Sequence, residues 1–209
     1  MQGSATAGRL DNEERRSLIR WLDPSQHEFI YERMSKYVRD ANRQLWRFAS
    51  VGTTKLIQLA QYDDAQRGHY DWHTDVMPSS SGARHKGARL LSVTVQLSDP
   101  AHYAGGSLQL GTHNATSEQG AMVVFPSYLC HKVFPVTQGQ RFSLVGWYLG
   151  DDVDYWKAAG QSYDMLTRAL PAFESGHTML AMVRASERRS GQSRAVKRHE
   201  RFPQEIYFV

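Results

Sequence analysis

Hydrophobic and polar positions change period along this chain of 209 residues. Over roughly the first fifty residues the apolar positions recur at helical spacing. Leu18, Ile19, Trp21 and Leu22 form the apolar side of a first predicted helix, with Asp11 as its N-cap and Glu13 and Glu14 in its opening turn. Asp23-Pro24-Ser25 breaks that helix and starts a second, whose apolar positions are Phe29, Ile30, Met34, Tyr37, Val38, Leu45 and Trp46. From Thr54 the period becomes two. Strands are predicted over Lys55–Tyr62, His69–His73, Leu90–Leu97, Ser107–Leu110, Ala121–Phe125, Leu129–Val136 and Arg141–Leu149. Turns fall at Asp63-Asp64, Ser98-Asp99-Pro100, Gly105-Gly106, Pro126-Ser127 and Thr137-Gln138-Gly139-Gln140. Short strands that follow helices, rather than alternating with them, predict a mainly β fold with helical cover, a β-sandwich or jelly roll.

After residue 150 the spacing is helical again, and Val153, Trp156, Met165, Leu166 and Leu170 are placed to dock on the roll. Pro171 ends or kinks that helix, and a further short one is expected before Ser186. The expected division of this single domain is residues 1–50 as supporting helices, 51–150 as the roll, 151–185 as C-terminal helices and 186–209 as a basic tail.

Charge sharpens that division. The whole chain carries a net +4, and the stretch from Ser186 to Arg201, with six basic residues against two acidic, carries the same surplus. The body is therefore neutral and shows no charge signature of a nucleic-acid-binding domain. An acidic partner or a nucleic acid is expected, if at all, through the tail. One cysteine, Cys130, excludes a disulfide framework and a cysteine-based zinc finger. No apolar run reaches the ~20 residues that cross a bilayer, and the first nine residues lack an apolar signal core, so a cytoplasmic protein is expected.

The chemistry concentrates around His73-Thr74-Asp75. Residues two apart on a strand project to the same side, so an imidazole and a carboxylate can meet one point in space. His131, on a later strand, is the candidate third ligand, and two His with one carboxylate make the facial triad of non-haem Fe(II) oxygenases. Arg141 lies ten residues further on, beyond the Gly139 turn, where its fork can grip a dianionic cosubstrate, and Ser143 shares its face. Along Leu90–Leu97, Leu91, Val93, Val95 and Leu97 face one way and Ser92, Thr94 and Gln96 the other. That polar face either lines a wet site or meets solvent.

These residues, with Gly105-Gly106-Ser107-Leu108, Gly120-Ala121-Met122-Val123-Val124-Phe125-Pro126-Ser127 and Arg141-Phe142-Ser143-Leu144-Val145-Gly146-Trp147, resemble the 2-oxoglutarate and Fe(II)-dependent dioxygenases, in particular the prolyl 4-hydroxylase-like and PKHD-type branch. The resemblance spans roughly residues 54–150. It implies a double-stranded β-helix, a cupin-like jelly roll, with N-terminal and C-terminal helices packed on it. It also implies Fe(II) held by His73, Asp75 and His131, and 2-oxoglutarate and O2 as cosubstrates, the former held by Arg141 with Tyr62 in contact. Gln96 stands where relatives often carry a tyrosine reaching the same carboxylate, and Trp147 matches an aromatic residue beside the pocket. The implied reaction hydroxylates an unactivated C–H bond and releases succinate and CO2.

Because Asp75 is a carboxylate, hydroxylation is implied rather than halogenation. Val76 after Asp75, and Trp147 six residues after Arg141, depart from the nucleic-acid dealkylating relatives. The segment from Val76 to Gly87 is either a lid or a surface connection; Trp72, Arg84 and His85 are the candidate substrate contacts. The expected substrate is a prolyl or other residue in a peptide or protein. The alternatives are a free amino acid or small metabolite, or a metal-binding roll that senses without catalysing. Cys130, next to a ligand but on the opposite face, is expected to be packing.

Overall fold

The computed structural model describes residues 7–48, 51, 52, 54, 56–76, 88–150 and 206–208. Its strands are β1 (Ala7–Asp11), β2 (Arg15–Leu22), β3 (Ile57–Asp63), β4 (His69–His73), β5 (Ala88–Gln96), β6 (Tyr103–Gly105), β7 (Leu108–Leu110), β8 (His113–Asn114), β9 (Met122–Pro126), β10 (His131–Val133), β11 (Val136–Gly150) and β12 (Ile206–Phe208). One α-helix, α1 (Glu28–Gln44), lies between β2 and β3.

The strands form one curled sheet in the order β12-β9-β5-β11-β3-β2-β4-β10-β7-β8. The curl occurs at β2, which pairs with β3 through Leu18–Leu22 and with β4 through Arg15 and Arg16. Two walls result, and Ala60, Tyr62, Val123, Phe125 and Val136 of one pack against Leu108, Leu110 and Val133 of the other. All pairings except that of β12 with β9 are antiparallel. This is the expected jelly roll.

Alternation decides what each face meets. Met34, Tyr37, Val38 and Ala41 of α1 pack on Ile57, Leu91, Val93, Met122, Val124, Leu144 and Tyr148, the outward residues of β3, β5, β9 and β11. Burying side chains of this size stabilises the fold by about 1.5–3 kcal/mol each. Their neighbours Ser92, Thr94, Arg141 and Ser143 face inward and are buried. The polar face of β5 therefore lines the interior and does not meet bulk solvent.

Three expectations are corrected. The predicted first helix over Asp11–Leu22 is the β1–β2 hairpin, closed where the Arg15 amide donates to Asn12 Oδ1 at 2.6 Å. Its burial does have period two, but two of the three buried positions, Arg15, Ser17 and Ile19, are polar, so hydrophobicity does not reveal the alternation. The predicted strand Leu129–Val136 is shorter, ending at Val133 just before Phe134-Pro135, where proline has no N–H for the ladder. The predicted turn at Thr137–Gln140 is the opening of β11, which there pairs with β6. Gly139, at φ 72°, is accommodated in an irregular register, its N–H donating to Asp64 Oδ2 at 2.7 Å. His131 and Arg141 consequently come from opposite walls rather than from one hairpin.

The expected helices of 151–185, the basic stretch 186–201 and the loop from Met77 to Gly87, with Arg84 and His85, lie outside the described residues. Among the described residues no helix is long and apolar enough to cross a membrane.

Candidate metal and cosubstrate site

The end of β4 and the start of β10 lie side by side, with His73 opposite His131. Asp75 follows β4 and is fixed through its backbone, its N–H donating to the Ser127 carbonyl at 2.9 Å. Its carboxylate stands between the two imidazoles: Oδ1 is 3.9 Å from His73 Nε2 and Oδ2 is 3.6 Å from His131 Nε2. One ligand atom from each residue lies within 4.8 Å of the others. Among the described residues this is the single His/Cys/Asp/Glu group of that kind.

Hydrogen bonds behind the ligands set their chemistry. His73 Nδ1 lies 2.7 Å from the Asp71 carbonyl and His131 Nδ1 lies 2.8 Å from the Leu129 carbonyl. A carbonyl only accepts, so each Nδ1 carries the proton and each Nε2 presents a lone pair to the centre. Burial, reinforced by the neighbouring His131, pushes the His73 imidazole down to about 3, so it is neutral at pH 7. Burial alone would raise the Asp75 carboxyl. The adjoining imidazoles, the Ser92 hydroxyl and the Trp147 indole outweigh it and hold the group below its usual 3.8. Two imidazoles with Nε2 toward the centre and a carboxylate match the donor set that suits Fe(II).

The group opens into a cleft of ≈ 470 Å³, open solvent at its mouth included, which also reaches Tyr62, Arg141, Ser143 and Trp147. Arg141 is 4% exposed. Burial pulls its pKa down, opposed by Tyr62 and by a hydrogen bond to Tyr103. Its Cζ lies 5.7 Å from the centroid of the Tyr62 ring. The two glycines of Gly105-Gly106 are needed for this approach: both have positive φ, 75° and 63°. A Cβ on Gly106 would stand 2.9 Å from Val136 Cγ2 and 3.0 Å from Arg141 Cδ.

Gln96 does not line the cleft. Its amide donates to Tyr103 Oη at 2.9 Å, so it acts from behind the tyrosine that touches Arg141. Trp147 lies at the metal end, beside Asp75. Its Nε1 is buried and makes no hydrogen bond of normal geometry, and Arg89 covers its ring at 4.0 Å. Trp72 lies away from the cleft, with Lys132 Nζ 5.2 Å from its ring. Cys130 is buried, as expected for a packing residue.

Several site residues escaped the sequence reading. Arg15 and Gln58 line the cleft, Tyr70 stacks on His73 at 3.5 Å between centroids, and Ser127 bonds Ser92 at 2.8 Å. A period-two reading of residues 15–19 would have placed Arg15 and Ser17 on the interior face. Tyr103 and Ser127 leave no trace in local pattern, because their roles depend on contacts between separate strands.

Residues 57–149 match the family model described as the 2OG-Fe(II) oxygenase superfamily. A PKHD-type hydroxylase of Hyphomonas neptunium is 33% identical over 151 residues, covering 68% of this chain and 62% of the relative. The crystal structure of a Pseudomonas putida prolyl-4-hydroxylase superposes with a TM-score of 0.56 at 23% identity, covering 70% of this chain and 78% of that one. A Trichoplax adhaerens prolyl hydroxylase in complex with a hypoxia inducible factor oxygen degradation domain peptide fragment gives 0.50 at 18%, covering 71% of each. The fold and its inward-facing His-Asp-His group are thus those of a jelly-roll oxygenase. Residues 57–149 carry the 2OG-Fe(II) oxygenase superfamily match, and the curated relatives that the chain resembles are PKHD-type hydroxylases. The chain spans about half the length of the curated relatives it matches.

Proposed function

We propose that this protein is a 2-oxoglutarate- and Fe(II)-dependent dioxygenase that hydroxylates an unactivated C–H bond of a prolyl or other residue in a peptide or protein. The observation that carries the reading is the pair of Nε2 lone pairs facing Asp75 at one end of a cleft whose lining also includes the buried Arg141. Bound Fe(II), with 2-oxoglutarate and O2, supplies the oxidising power, and the cosubstrate leaves as succinate and CO2.

The residues of the chain do the rest. His73, Asp75 and His131 hold the metal on one side and leave the cleft side open. Arg141 takes the distal carboxylate of 2-oxoglutarate as a bidentate pair, with Tyr62 against its guanidinium, Tyr103 holding it and Ser143 alongside. The apolar Leu108, Phe125 and Val133 keep bulk water from the reacting atoms. A peptide substrate is supported by the peptide bound to the Trichoplax protein. The test is iron-dependent conversion of 2-oxoglutarate to succinate, lost in His131→Ala. Turnover undiminished in that variant would remove the reading.

A further inference from the structure

We propose that Arg15 is a specificity-determining residue that receives a carboxylate of the substrate; this rests on the metal and cosubstrate roles proposed above. Arg15 is 9% exposed and lines the same cleft as His73 and Arg141. Its Nε donates to Ser17 Oγ at 2.8 Å, its Nη2 to Gln58 Oε1 at 2.8 Å, and its Cζ lies 4.5 Å from the centre of the Tyr70 ring. These partners orient the guanidinium without neutralising it. Among the described residues no carboxylate forms an ion pair with it. A buried cation with only neutral partners is costly, and an anionic ligand offsets that cost.

The cosubstrate does not account for this charge. The side chain that orients Arg15 belongs to Gln58, whereas Arg141 packs near Tyr62. Those two residues are four apart on β3, about 13 Å along the strand. Asp75 is the one acidic residue lining the cleft, and it belongs to the metal group. With 2-oxoglutarate set against Arg141 and the metal, Arg15 remains the cation without an anion. Its place is next to the reacting centre, since Tyr70 touches both Arg15 and His73. The substrate class is therefore one whose carboxylate sits close to the C–H bond that reacts: a free amino or hydroxy acid, or a peptide with a carboxylate near the target residue.

The test uses the full chain loaded with Mn(II) and 2-oxoglutarate, which binds without turning over. Free L-amino acids and their amides, and tetrapeptides with free or amidated C-termini, are titrated as matched pairs by calorimetry. An acid is expected to bind about tenfold or more tighter than its amide, and which arm shows the preference identifies the source of the carboxylate. In Arg15→Gln the preference should fall to within about twofold while affinity for 2-oxoglutarate holds. Arg15→Lys, which keeps the charge but not the fork, should give an intermediate preference and serves if the Gln variant does not fold. The proposal is overturned if no acid outbinds its amide on the native protein, or if the variants keep the full preference. It is equally overturned if Arg15→Gln loses 2-oxoglutarate and keeps the preference. Failure of the native protein to bind 2-oxoglutarate counts instead against the proposed function.

Discussion

Ser92 Oγ donates to Asp75 Oδ2 at 2.6 Å and lies 2.8 Å from Ser127 Oγ, so two hydroxyls from β5 and the loop after β9 stand behind one carboxylate. Such partners fix a ligand's orientation, and their loss typically weakens metal binding by 10- to 100-fold. Ser92→Ala should therefore lower affinity for Fe(II) or Mn(II) by about tenfold with little change in melting temperature. A metal titration of the two proteins checks it, and equal affinities would remove Ser92 from the site.

Gly106→Ala combines a positive φ with two close contacts. The substitution should cost on the order of 1–3 kcal/mol of stability. It should also displace Arg141 and weaken 2-oxoglutarate binding. Denaturant titration reads the first effect and calorimetry the second.

Tyr103→Phe removes the hydroxyl that accepts from Gln96 and bonds Arg141. Loss of a hydrogen bond to a charged group costs about 1.5–3 kcal/mol, here spent on holding the arginine. The expected result is an apparent affinity for 2-oxoglutarate about tenfold weaker, matched by Gln96→Leu if the amide acts through Tyr103. Unchanged affinity in Tyr103→Phe would show that Arg141 is held without it.

The metal-free protein should lose stability as the pH falls. His73, buried, takes up its proton only near pH 3, whereas the unfolded chain does so near its usual 6.5. The unfolded state binds more protons throughout that window, so this contribution is complete above pH 6.5 and shrinks as pH drops towards 3. Asp75, held below 3.8, adds a loss of the same sign at the acid end. Melting temperatures of the native protein and His73→Gln, measured from pH 7 to 4, should converge as the pH falls.

Cys130 should resist alkylation. Burial pushes its thiol up to about 12, so almost none is thiolate at pH 8. Iodoacetamide should label the unfolded chain at its single cysteine and leave the folded one unmodified within the same time. Rapid labelling of the folded protein would contradict the buried placement.

The metal group was legible from residue order because its chemistry is local. His73 and Asp75 are two apart at the end of a short strand, so they are close whatever the fold, and the bond from the Asp75 N–H to the Ser127 carbonyl fixes the side that Asp75 takes. The walls of the roll were legible for a related reason: β3, β5, β9 and β11 pack apolar residues on α1, so alternation is written into hydrophobicity. The same signal failed at β2. There the inward face buries Arg15, which lines the cleft, and Ser17, which accepts its hydrogen bond, and an apolar-in, polar-out rule cannot register a strand whose inner side is polar.

Residue order thus suffices for the family resemblance, for His73 and Asp75 with His131 as the third candidate ligand, and for Arg141 as the candidate partner of the cosubstrate. Tertiary structure supplies what depends on register between distant strands. It sets Ser92 behind Asp75, Gln96 behind Tyr103 and Tyr103 against Arg141, and it brings the N-terminal Arg15 into the cleft against Tyr70, the ring that also stacks on His73. Each is a contact between segments separated along the chain, made by side chains of ordinary type, and only the curl of the sheet brings them together.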